Sequence, residues 1–285
     1  MSKTTADEPT TEVALRDGSG FIEVAESFAT RFPAIAPTPE MLELYEENLG
    51  DEELSIRNFR KIKVPSGDID SWQVTKAGKQ TSEEKLVGVL IAIKKRRSYW
   101  EKDEPDGSFP DCSSSDGKTP DSGGFFAPDG PLAARNPQGM CRTCPMSKRG
   151  SDPKSEKGQA CREQRLLFLA QEGALFPVVV TAPRTSVDAV VGYAMDLMDD
   201  QLPYYGVETA LSLIKDQSSK GQKYNRIKLT RVSDLSPEAA KAAKIYGNEI
   251  RDMIDAATAD FSDSAGAEFG AEGEDEGISV GAPVS

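Results

Sequence analysis

Four cysteines, Cys112, Cys141, Cys144 and Cys161, are the side chains best suited to chemistry, and they are all the cysteine the chain has. They run as C-x28-C-x2-C-x16-C through one polar stretch. In Cys141-Arg142-Thr143-Cys144 the two-residue spacing lets a tight turn offer two thiolates to one cation, and Pro145 follows directly. Four thiolates around Zn²⁺ make a closed tetrahedral site with no open position for water, so the expected role is structural rather than catalytic. Arg142, Lys148, Arg149, Lys154, Lys157 and Arg162 lie close by in sequence and would moderate the excess negative charge of such a centre. The chain has no histidine, which excludes a mixed Cys/His site and catalysis by imidazole.

Two disulfides would consume the same four cysteines, and unligated thiols are the third alternative. The start, Met1-Ser2-Lys3-Thr4, leads into no apolar segment of the signal-peptide kind. A chain of 285 residues does not need staples as a miniature secreted scaffold does. In a reducing cytoplasm, the expected compartment, this pattern reads as metal binding.

A second constellation is cationic and aromatic. Phe59, Lys61 and Lys63 share one face of a predicted strand, as do Tyr224, Arg226 and Lys228, opposite the core candidates Ile227 and Leu229. Trp72 lies near the first of these strands, and Lys94, Lys95, Arg96 and Arg97 precede Tyr99 and Trp100. Arg165 opens a later strand. Cations that follow a backbone, interleaved with aromatics on which bases stack, are what single-strand binding requires. Taken one at a time, such residues are ordinarily solvated strand faces and core aromatics; recurrence on several strands raises the binding reading. No phosphate loop, nucleophile elbow or paired-acid motif stands out, so no enzyme is expected. Asp111, Asp116 and Asp121 could bind Mg²⁺, but they sit among turn-forming residues, where aspartate is expected anyway.

The elements that must position these residues alternate in kind. Phe21 to Phe32 has helical apolar spacing, and Thr38-Pro39-Glu40 starts a second helix that ends near Leu49-Gly50. Strands are expected at 59–64, 71–74, 85–99, 165–169, 176–181, 207–215 and 223–232. A helix is expected from Ser186 to Leu202 and another from Ser236-Pro237-Glu238 onward. Strands, then a helix, then two closing strands suit a five-stranded barrel of the OB type, within a mainly β domain with flanking helices; a mixed α+β domain satisfies the same periodicity. Residues 101–162 would be a zinc-organised insertion, since a structureless loop of that length is suspect in a compact domain.

Charge divides the chain differently. The total is −13. Residues 1–53 carry 13 acidic and 3 basic side chains, and residues 252–285 carry 9 acidic and no basic ones. Of the 47 acidic and 34 basic side chains overall, this leaves a basic body between two acidic ends. The expected organisation is an acidic, partly helical extension at 1–53, a nucleic-acid-binding domain at 54–258, and a disordered acidic tail at 259–285. The longest apolar run, Leu86 to Ile93, is too short to cross a bilayer.

The cysteine segment resembles a family of single-stranded DNA-binding proteins of tailed bacteriophages that infect Gram-positive hosts. The matching residues are Pro110-Asp111-Cys112-Ser113-Ser114 with Asp116-Gly117, then Cys141-Arg142-Thr143-Cys144-Pro145, Gly150-Ser151, and Lys157-Gly158 before Cys161. Leu175-Phe176-Pro177, Ala182-Pro183-Arg184-Thr185-Ser186 and Tyr204-Tyr205-Gly206-Val207 continue the likeness, which runs from about Phe59 to Val232. Arg149 departs from it, standing where the family has an aromatic. The resemblance implies an OB-like fold, a structural zinc, and coating of single-stranded DNA during replication and recombination in the bacterial host cytoplasm. The acidic tail would gate binding or recruit replication partners. The alternative expectation is a zinc-stabilised adaptor that binds replication or transcription proteins.

Overall fold

The computed structural model describes residues 9–14, 21–50, 52, 58–65, 67–101, 110–153, 158–217, 221 and 223–260. The acidic tail beyond residue 260 therefore lies outside the described residues. Strand β1 (Thr10–Ala14) pairs antiparallel with β2 (Phe21–Ala25), which runs directly into the short helix α1 (Glu26–Arg31). The helix expected over 21–32 is thus half strand. Phe-Ile-Glu-Val-Ala alternates with period two, burying Ile22 and Val24 and exposing Glu23, and a short apolar run satisfies either period until a partner strand decides. Helix α2 (Pro39–Leu49) begins as expected after Thr38, with proline in its first turn and Glu40 at its positive end.

The main sheet is built from β3 (Lys61–Lys63), β6 (Lys85–Tyr99), β7 (Cys112–Ser114), β8 (Arg162–Gln171), β9 (Val178–Ala182), β10 (Val207–Gln217) and β11 (Lys223–Asp234). Between β3 and β6 lies a separate hairpin of β4 (Trp72–Lys76) and β5 (Lys79–Glu83), closed by Ala77 and Gly78 with both φ positive, the two-residue turn that suits strand twist. The order in the main sheet is β11-β10-β6-β8-β9-β3, with β7 added beside β6. Every pair is antiparallel except β3 with β9. Helix α3 (Arg184–Asp199) links β9 to β10, and α4 (Pro237–Asp260) closes the described chain. The result is a mixed α+β fold around a sheet curled into a half-barrel.

Both faces of the sheet are covered. Leu86, Leu90, Leu167, Leu169, Val180 and Leu211 point into the curl, where α3 adds Val190, Tyr193 and Leu197 and the hairpin adds Trp72 and Val74. On the other face Val89, Ile91, Leu166 and Phe168 meet Ala239, Ala243, Tyr246, Ile250 and Ile254 of α4. Ile22, Val24, Phe28 and Phe32 join the same cluster, so the boundary drawn at residue 53 from charge does not divide the core. Alternation along β6 and β8 feeds the two cores in turn, which is why their sequences read as continuous apolar runs. At Ile91 the register of β6 shifts against β8, and Gly247 of α4 rests on that bulge. A Cβ at Gly247 would stand 2.1 Å from the Ile91 carbonyl oxygen, so only glycine allows the helix this close. Among the described residues no helix is long and apolar enough to cross a membrane.

Candidate metal centre and cationic strand face

The far end of β6 organises the cysteine segment. Strand β7 pairs with it so that Cys112 lies opposite Tyr99 and Ser114 opposite Arg97. On its other side β8 begins just after Cys161, with Arg162 opposite Ser98 and Glu163 opposite Arg97. Two cysteines are thereby fixed on either flank of one strand. The Cys141–Cys144 turn closes on itself, Cys144 N donating to Met140 O at 3.1 Å, and is tied to the rest by Cys141 N to Lys118 O at 2.7 Å. Cys161 N donates to Met146 O at 2.9 Å. Between these anchors, aspartates hold the turns. Asp116 Oδ1 accepts from the backbone N–H groups of Lys118 and Thr119 at 2.6 and 2.8 Å, and Asp121 Oδ1 accepts from Ser115 N at 2.9 Å. Asp111 Oδ2 accepts from Glu101 N at 2.7 Å. These carboxylates serve turns, as their composition suggested. Burial alone would raise the Asp116 carboxyl, yet the hydrogen bonds from Thr119, Lys118 and Ser114 outweigh it and hold the group below the usual range.

All four cysteines are free thiols, and all four are buried. With Arg97 and Ser147 they line one cavity of about 10 Å³, space on the scale of a single water or ion. Burial pushes the Cys112 thiol up to about 12 and Cys141 up to about 11, and it raises Cys144 and Cys161 as well. The Arg97 guanidinium works against burial at Cys141, Cys144 and Cys161. Among the described residues no group of three or more Cys, Asp or Glu side chains forms a metal cluster as the side chains stand. The shared cavity and the lack of a ligating group differ in what they demand. A cavity needs thiols that face one space, whereas a cluster needs sulfurs at bonding distance, and rotation about χ1 alone moves each sulfur around its Cβ.

Two further features fit a cation with four thiolates. Arg97 Nε and Nη1 and Ser147 Oγ are buried and make no well-formed hydrogen bond, although both side chains lie within hydrogen-bonding reach of Cys161; anionic sulfur would satisfy them. The donor set, four cysteines without histidine, suits Zn²⁺.

The residues expected to contact nucleic acid divide into three groups. Phe59, Trp72 and Tyr99 are enclosed. Phe59 packs on Phe176, Tyr99 meets Phe126 edge-on at 5.4 Å, and Trp72 is 0% exposed, with Nε1 donating to Leu211 O at 2.9 Å. A base cannot stack on a ring enclosed in this way, which corrects the reading of Trp72 and Tyr99 as stacking platforms and of Phe59 as a residue of the nucleic-acid face. The sequence pattern places an aromatic on a strand, but the second apolar layer that covers it comes from distant elements.

A second group is drawn together by Glu163. Its Oε1 receives Arg165 at 2.7 Å, and its Oε2 receives Lys95 at 3.3 Å and Arg97. Arg97 is buried, while Lys95 and Arg165 are half-buried. Lys94 and Arg96 are half-buried too, and burial pulls the Arg96 guanidinium down against the pull of Asp121. Trp100 is half-buried with the Arg162 guanidinium 5.7 Å from its ring centroid. Sequence reading missed Glu163 as a hub and Arg162 as a cation over Trp100, since both depend on the β6–β8 register.

The third group faces solvent. Lys63 is exposed beside half-buried Lys61. On β11, Arg226 and Lys228 are exposed and Tyr224 half-buried, while Asn225 and Ile227 turn inward, the alternation expected. Asp216 Oδ2 accepts from Tyr224 Oη at 3.1 Å and from Arg226 Nε at 2.8 Å. Arg226 and Lys228 also line an open cleft of about 310 Å³ between β11 and α3, with Ile214, Tyr193 and Asp196. Lys215 and Lys223, which sequence reading did not single out, are exposed nearby and pair with Asp70 and Asp68.

Comparison of the chain with protein-family models, with curated proteins and with solved structures finds no match.

Proposed function

We propose that this chain is a single-stranded DNA-binding protein that coats and protects DNA in phage replication and recombination, a binding rather than a catalytic protein of the bacterial host cytoplasm. One observation carries the reading: β11 presents Tyr224, Arg226 and Lys228 in a row on its outer face, and Arg226 and Lys228 of that row line an open cleft. Cations beside an aromatic at a groove are the footprint of sequence-tolerant binding to a phosphate backbone. Strand order supports the OB assignment. β6, β8 and β9 form a meander, α3 follows the third strand, β10 returns to pair with the first, and β11 pairs with β10. That is the plan of an OB barrel left open between its third and fifth strands, where β3 joins the third strand instead. The four cysteines would hold one Zn²⁺, which supplies a closed tetrahedral crosslink and no reaction step. The acidic segment 259–285 would compete with DNA for the cationic face or recruit replication proteins.

The deciding experiment titrates the full chain into fluorescent oligo-dT at two salt concentrations, with an RNA oligomer alongside. Binding that weakens steeply with salt, and at least tenfold further in an Arg226→Glu/Lys228→Glu chain, is expected from counterion release. No binding at low salt would falsify the proposal.

A second reading, a zinc-stabilised protein-interaction adaptor, is favoured by α3. Its Val191, Met195 and Met198 are exposed at helical spacing, Met198 to 72%. Exposed methionines suit adaptable protein contacts, and capture of a polymerase subunit by a chain that ignores DNA would favour this reading.

A further inference from the structure

The ion pair of Arg97 leaves most of its guanidinium unexplained. Arg97 is 8% exposed, and Nη2 donates to Glu163 Oε2. Its Nε and Nη1 are buried and make no well-formed hydrogen bond, although the side chain lies within hydrogen-bonding reach of Cys161. A guanidinium stays charged at any ordinary pH and carries five donors in a fixed fork, so two idle buried nitrogens ask for an acceptor. Glu163 is already shared with Lys95 and Arg165. Pairing sets Arg97 between Ser114 of β7 and Glu163 of β8, in the strand whose Tyr99 lies opposite Cys112. From there it lines the cavity of the four cysteines.

We propose that Arg97 is a positioning residue of the metal centre, its Nε and Nη1 donating N–H···S hydrogen bonds to metal-bound thiolates while its charge offsets part of theirs. The assignment rests on the zinc reading above. It removes Arg97 from the phosphate-binding set. N–H groups that donate to metal-bound sulfur orient the ligands and lower their electron density.

The test uses the full chain with Zn²⁺ and Co²⁺ as probes. A chromophoric chelator measures Zn²⁺ affinity by competition, and the sulfur-to-cobalt charge-transfer band reports electron density on the thiolates. R97M should lower Zn²⁺ affinity about ten- to a hundredfold and move the band to lower energy, because thiolates that lose N–H donors become more electron-rich. R97K should recover part of the affinity, and Glu163→Gln should leave the band in place. An R97M chain with wild-type affinity and band overturns the role. So does an E163Q chain that reproduces the R97M shift, since the ion pair would then be the operative contact. Should R97M fail to fold, R97K against E163Q decides on the same readouts: R97K must move the band and E163Q must not, and the reverse overturns the role. A wild-type chain that takes up no Co²⁺ overturns the metal reading itself, a result distinct from variants that bind as wild type does.

Discussion

The curled sheet and the cysteine segment are held together by different physics. The sheet buries Leu86, Leu90, Leu167 and Leu169 on one face and Val89, Ile91 and Phe168 on the other, each against its own helix. The segment from 110 to 161 gathers a small cluster around Tyr99, Phe126 and its cysteines. Much of its order comes from aspartates that accept backbone N–H groups. Apolar burial scales with area and needs no partner of fixed valence. Turn acceptors and thiols act one at a time, so the segment has few ways to compensate for a loss. The two regions should therefore fail separately and under different stresses.

Metal removal should separate them most widely. In the zinc reading the ion supplies on the order of 10 kcal/mol to whatever it folds, far more than the small apolar cluster around Tyr99 and Phe126 offers. Chelation, or Cys141→Ser with Cys144→Ser, should strip hydrogen-exchange protection from residues 110–153 and leave the amides of β8, β9 and β10 protected. Protection that persists through the segment after complete metal removal would sink the idea. pH adds a sign. Burial in the folded segment pushes the Cys112 thiol up from 9.0 to about 12, so protons compete with the metal for that sulfur. The thiols must release their protons to bind it, and affinity should climb steeply with pH. Zn²⁺ affinity that does not rise with pH would contradict a thiolate site.

A smaller effect is expected in the sheet. Gly247→Ala places a methyl 2.1 Å from the Ile91 carbonyl oxygen, a backbone atom that cannot rotate away. Overpacking of this kind costs about 1–3 kcal/mol, and the better helix propensity of alanine returns about 1. Urea unfolding should give a net loss of up to roughly 2 kcal/mol, with Co²⁺ uptake by the cysteine segment unchanged. A loss of metal uptake with intact stability would show that the two regions are not separate.

The same division explains what the sequence made legible. Strands β3, β4, β6, β8, β9, β10 and β11 and helices α3 and α4 follow from local period and spacing, which need no knowledge of partners, whereas β1, β2, β5 and β7 do not. Thr38-Pro39-Glu40 and Ser236-Pro237-Glu238 both start helices, and Ser236 Oγ accepts from Ala239 N at 3.2 Å. What the sequence hid depends on pairing across long separations. Lys94 to Arg97 reads as one basic run, but Arg97 turns inward because β7 and β8 flank it and Glu163 waits opposite. Trp72 reads as a stacking ring near a basic strand, yet the carbonyl of Leu211, far along the chain, takes its N–H. Phe21–Ala25 fits helix and strand alike, and β1 settles it.

Two aspartates bring the comparison down to single side chains. Asp116 and Asp216 both sit below the ordinary carboxylate range, but for different tasks. Asp116 ties backbone N–H groups inside the segment. Asp216, held down first by the backbone N–H of Gln217 and then by Tyr224 and Arg226, sits on the exposed cationic face. There its charge competes with any phosphate for Arg226. An exposed, solvent-screened pair contributes little, so Asp216→Asn should tighten oligo-dT binding only a few-fold and reduce unfolding stability very little. The gain should shrink as salt rises, since screening weakens the competing carboxylate and the phosphate together. If Asp216→Asn weakens binding instead, the carboxylate positions Tyr224 and Arg226 for DNA rather than competing with it, and the β11 row is pre-organised by its own acid.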